Sequence, residues 1–154
     1  MRTRAGALAA LAASAVVALS AAQDPPVARV NTDRTTVAVH GYDVVSYFTD
    51  QKPVKGSPAF AQVWRGATWR FATADHRDLF ARSPEQYAPQ FGGFCAWAVS
   101  RNYTADIDPA AWTIVGGRLF LNYSLSVQRK WLEDRDGNIA KGDANWPALS
   151  RSTK

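Results

Sequence analysis

A second cysteine is missing. Cys95 is the only one in 154 residues, so no intramolecular disulfide can form and a hydrophobic core must hold the fold. Histidine is nearly as scarce, with His40 and His76 alone. There is no Cys-x-x-Cys or His-x-x-x-His spacing, and three such side chains are too few for a closed structural zinc site. No His follows Cys95, which argues against a papain-like cysteine hydrolase despite the faint local echo in Gly93-Phe94-Cys95-Ala96-Trp97. Basic runs are absent too. Lys and Arg are scattered, so nothing marks a nucleic-acid interface. Gly92-Gly93 lacks the further pattern of a phosphate-binding loop, and no βαβ repeat occurs.

Only one long apolar run is present. Arg2 and Arg4 precede an Ala/Leu/Val stretch from Ala5 to about Leu19, followed by Ser20-Ala21-Ala22 and the polar Gln23-Asp24-Pro25-Pro26. This reads as a signal peptide over 1–22, with a periplasmic or secreted product and no membrane span after cleavage. Two of the 18 basic residues lie in that segment, which leaves an excess of about +3 over the 13 acidic ones. The remaining chain suits one domain. Residues 23–35 read as a flexible leader, 36–148 as the domain and 149–154 as a loose tail.

Aromatics are plentiful: six Trp, five Tyr and seven Phe can supply the core. Residues 61–64 and 68–71 alternate around Arg65-Gly66-Ala67, and Trp112–Val115 and Arg118–Tyr123 flank Gly116-Gly117, so both pairs read as hairpins. Thr36–Val39 reads as a short strand and Tyr42–Phe48 as a short helix. A helix capped by Thr73 or Asp75 ends at Ser83-Pro84, and one capped by Ser124 or Ser126 ends at Asp136-Gly137. A last short helix, Ile139–Trp146, stops at Pro147. The expected class is α+β: one small domain of short antiparallel hairpins packed on several short helices.

The chemistry is expected around Cys95. A Gly-Gly pair permits positive φ and close backbone approach, and Phe94–Val99 reads as the first turns of a buried helix. A thiol near a helix N-terminus is pushed toward thiolate, the nucleophilic and metal-binding form. Gly92 and Gly93 would give access to it, with Tyr42, Phe94 and Trp97 as walls. His76 or His40 would serve as second metal ligand or proton partner, and a soft thiolate favours copper(I) or zinc. With no resolving cysteine, a redox cycle would need a thiol partner from outside, as metal loading would need a donor protein. The bland alternative is a small buried hydrophobe.

Gly41–Phe48, Gly66–Phe71, Pro84–Ala96, Leu119–Tyr123 and Asn145-Trp146-Pro147, in that order, resemble the exported YHS-domain proteins of bacteria, from about Val37 to Pro147. The resemblance implies a small metal-associated module. Where the wider YHS pattern carries cysteines, this chain has Ala72, His76 and, near the upstream one, Ser46, so the usual metal cysteines are absent and the resemblance leaves His76 as the one candidate ligand among those places. Some relatives place selenocysteine at the position of Cys95, which implies a functional thiol. The expectation is therefore thiol redox chemistry or soft-metal binding at Cys95, with enzymatic activity left open. The competing class is a non-catalytic module with an inert cysteine and an aromatic groove for a small ligand or protein.

Overall fold

Large side chains on alternate positions drive the first hairpin. Strand β1 (Ser57–Trp64) pairs antiparallel with β2 (Ala67–Phe71), and Ala67, Trp69 and Phe71 point to one buried face, as the period of two requires. Arg65-Gly66 closes it with φ of 50° and 72°, the paired positive values of a tight hairpin turn. The second hairpin, β3 (Asp108–Val115) with β4 (Arg118–Asn122), turns at Gly116-Gly117 with φ of 57° and 75°. The two pairs are separate two-stranded sheets.

Among the described residues six helices surround them: α1 (Ser46–Thr49), α2 (Ala74–Arg82), α3 (Pro84–Tyr87), α4 (Ala96–Ser100), α5 (Leu125–Glu133) and α6 (Arg135–Leu149). Thr73 caps α2 by accepting the His76 N–H, and Ser124 caps α5 by accepting that of Val127. Asp136-Gly137, expected to end a helix, instead opens α6. The break falls at Asp134, whose side chain accepts the Gly137 N–H and restarts the helix. Pro147 sits inside the last turn rather than stopping it. Thr36–Val39 forms only isolated bridges, and Val39–Gly41 is a left-handed 3-10 turn with φ of 42°, 57° and 74°.

This computed structural model describes residues 28–152, an α+β fold in a single small domain. The expected signal peptide, the first part of the leader and the last two tail residues lie outside them. No described helix is long and apolar enough to cross a membrane.

Two cores share one seam. The larger gathers Trp69, Phe71, Phe80, Val44, Val45 and Tyr47 with Leu119, Leu121, Cys95 and Ala98; the smaller gathers Phe91, Ala96, Val99, Phe120 and Trp131. Strand periodicity sends Leu119 and Leu121 into the first and Phe120 into the second. In and beside α4, Cys95 and Ala98 belong to the first, Ala96 and Val99 to the second.

Candidate functional site

Cys95 immediately precedes α4 on this seam and is 1% exposed. Its Sγ accepts the Tyr123 N–H at 3.3 Å and lies 3.7 Å from Asn122 Oδ1, which also receives the Trp97 N–H and so caps α4 from a neighbouring strand. Burial pushes the thiol pKa up; the backbone N–H groups of Ala98, Tyr123 and Trp97 pull it down but do not compensate. The accessible, thiolate-biased cysteine read from the sequence is thus a buried thiol. Desolvation outweighs the end of a five-residue helix.

Gly92 and Gly93 do not open a path to it. With Phe91 they form a left-handed turn, φ of 57°, 61° and 81°, onto which the N-terminal segment docks. Asn31 donates its N–H to Gly92 O at 2.8 Å and its Nδ2 to Gly93 O at 3.1 Å, and Arg29 donates its N–H to Ser150 O. A Cβ on Gly92 would overlap the Arg29 carbonyl oxygen, and one on Gly93 would reach within 2.5 Å of Val39 Cγ1. The glycines serve close approach, as their chemistry suggests, with the chain's own strap as the approaching partner. Residues 29–31, read as part of a flexible leader, are that strap.

The aromatics expected to wall a thiol site each carry a cation of their own chain. Lys55 lies over Tyr42 at 4.7 Å, Arg29 over Phe94 at 5.0 Å and Arg101 over Trp97 at 4.1 Å.

His76 belongs to a different network. The fully buried Asp43 accepts the N–H groups of Val45 (2.9 Å) and Ser46 (3.3 Å) on Oδ1 and that of Ala72 (2.9 Å) on Oδ2, where His76 Nδ1 also bonds at 2.6 Å. That pairing places the imidazole proton on Nδ1 and turns Nε2 toward Thr49 Oγ1 at 3.2 Å. The chain of carboxylate, imidazole and hydroxyl has the order of a general-base relay. Thr49 Oγ1, however, lies 3.2 Å from the carbonyl oxygen of Val45, the residue that caps its own helix, and lines neither the cavity between Trp64 and Trp146 nor the one beside His40 and Asp106. What the network does is tie α1, β2 and α2 together.

His40 bonds through Nε2 to Asp106 Oδ1 at 2.7 Å, where Asn31 Nδ2 and the Ile107 N–H also converge. Burial alone would raise the Asp106 pKa, but the hydrogen bonds from Asn31, His40 and Ile107 outweigh it and hold the carboxyl below its ordinary value. Cys95, His76 and His40 therefore have three separate sets of partners. Among the described residues no group of three His, Cys, Asp or Glu could hold a metal ion, so the copper or zinc ligand set read from the sequence does not fit.

His40 and Asp106 line a small cavity of about 130 Å³ with Asn31, Thr32 and Asp33; a larger concave surface lies elsewhere. A cleft of about 240 Å³ runs between the first hairpin and α6, where the two cores meet. Trp64, Trp69, Phe91 and Trp146 line it, Val30 of the strap and Gly92 close one side, and Arg65, Glu85, Gln90 and Asp143 border it. Of the residues singled out from the sequence only Gly92 takes part. Trp64 and Trp69 read as hairpin residues and Phe91 and Trp146 as parts of separate motifs; no spacing links the hairpin to Phe91 or Trp146. No family model matches the chain, and neither a curated protein nor a solved structure does.

Proposed function

We propose that the protein is a non-catalytic binding module that takes a small molecule in the cleft between Trp64 and Trp146, with Cys95 an inert member of the core. The observation that carries this reading is the convergence of four aromatic side chains on one cavity at the junction of the two cores. The wall mixes ring surface with polar side chains, and small-molecule sites use the first to hold a ligand and the second to orient it. The volume falls just below the roughly 300 to 1,000 Å³ of sites for drug-sized ligands, which suits a small metabolite better than a length of polypeptide. The reading retains an exported, periplasmic or secreted location, supported by the sequence of residues 1–22, and kinship with exported YHS-domain proteins, supported by motif order.

The test is a thermal-shift screen of aromatic fragments against the wild type, Trp64→Ala and Cys95→Ala. Ligands should raise the melting temperature of the wild type and of Cys95→Ala, and fail to raise that of Trp64→Ala. Loss of the shift in Cys95→Ala with retention in Trp64→Ala would return the function to the thiol.

A further inference from the structure

We infer that the cleft selects an uncharged, flat aromatic molecule; this rests on the binding reading above and adds the chemical class. Three ionised side chains border the cleft, and each already has a counter-charge. Arg65 Nη2 bonds Glu85 Oε1 at 2.8 Å. Asp143 is held by both terminal nitrogens of Arg118, at 2.5 and 3.1 Å. No charge at the border is left over to recognise an ion. An anion entering the cleft would have to compete with Glu85 for Arg65, and a cation would have to compete with Arg65 or Arg118 for a carboxylate.

The aromatic walls give a second reason against a cation. An ammonium group would seek the face of a Trp, yet the Arg65 guanidinium already stands 4.4 Å from the Trp64 ring centre. What remains is the half-buried Trp146 ring and the part of Trp64 that Arg65 leaves uncovered, with Trp69 and Phe91 forming the buried floor, and one polar handle. Gln90 accepts from Arg118 Nε through Oε1 at 2.9 Å, and its Nε2 makes no hydrogen bond among the described residues. That amide nitrogen offers a donor to a hydroxyl or carbonyl oxygen on the ligand.

Three probes of one shape separate the possibilities: benzyl alcohol, benzylammonium and benzoate, each titrated into the full chain at pH 7. The readout is the indole N–H signals in a nitrogen–proton correlation spectrum, assigned with single Trp→Phe variants. Benzyl alcohol should shift Trp64, Trp69 and Trp146 and leave Trp112 unmoved, with a dissociation constant at least tenfold below those of the two ions. An ion that shifts the same three signals with equal or better affinity overturns the uncharged class while the cleft remains the site. Failure of all three probes to move Trp64, Trp69 and Trp146 overturns both readings.

Discussion

At the residue scale, the decisive fact about Cys95 is its burial. A thiol whose pKa is raised in the folded state stays protonated there after the unfolded chain has begun to ionise, near about pH 8.5. Above that pH the unfolded state binds fewer protons than the native one, so stability falls as pH rises. The melting temperature should therefore drop between pH 8 and 10, and drop less in Cys95→Ala. Identical slopes would mean that Cys95 does not titrate differently on folding. Iodoacetamide should leave folded Cys95 unlabelled at neutral pH and label it in urea. Asp43 is the other residue whose setting decides its effect. Asp43→Ala leaves the N–H groups of Val45, Ser46 and Ala72 and the His76 ring without their acceptor, and should cost more than about 3 kcal/mol, since each buried donor left unsatisfied costs roughly 1 to 3 kcal/mol. His76→Ala should cost less, about 1 to 3 kcal/mol, because three N–H donors still satisfy the carboxylate. Equal urea midpoints for the two variants would contradict that assignment. The sequence placed Asp43 inside the short helix read over Tyr42–Phe48, a carboxylate that a metal site could draw on; what makes it central is Ala72, 29 residues away.

At the element scale, local chemistry was legible and long-range chemistry was not. Both hairpins could be read because their turns need positive φ at two successive residues and their strands alternate. The Thr73 and Ser124 caps could be read because the cap and the N–H it serves are three residues apart. Asp136-Gly137 misled for the same local reason: Gly suits a helix end, but Asp134 supplies a cap that makes it a helix beginning. The Gly92-Gly93 turn shows the limit best. Its left-handed backbone is a property of the glycines, whereas the strap that needs it lies some sixty residues earlier. Gly92→Ala should push Arg29 off its seat and destabilise the fold by more than about 1 kcal/mol, since an L side chain is strained at a φ of 61° as well as crowded. Hydrogen exchange at the Asn31 and Val39 amides reports the undocking directly, since they bond to Gly92 O and to Asn31 O respectively. Unchanged protection at both would show that the strap holds without the glycine.

At the scale of the whole molecule, the cleft exists because two cores built on opposite faces of β4 leave a gap where the first hairpin and α6 come together. Arg118, the first residue of β4, bonds two of the residues that border it. It holds Asp143 on α6 and Gln90 in the left-handed turn, and its guanidinium lies 5.0 Å from the Phe120 ring. The neutrality of the border depends on it. Arg118→Ala leaves Asp143 without its counter-charge beside the aromatic walls, so the preference for uncharged ligands should shift toward cations. Benzylammonium should gain about tenfold in affinity relative to benzyl alcohol, the equivalent of about 1.4 kcal/mol, and benzoate should weaken. Because Asp143 is exposed, added salt should shrink the gain. Arg118→Lys keeps a cation at the position and should keep the wild-type order of the three probes, which separates loss of charge from loss of packing on Phe120. An unchanged order in a folded Arg118→Ala would mean that the paired charges at the border do not set the selectivity of the cleft.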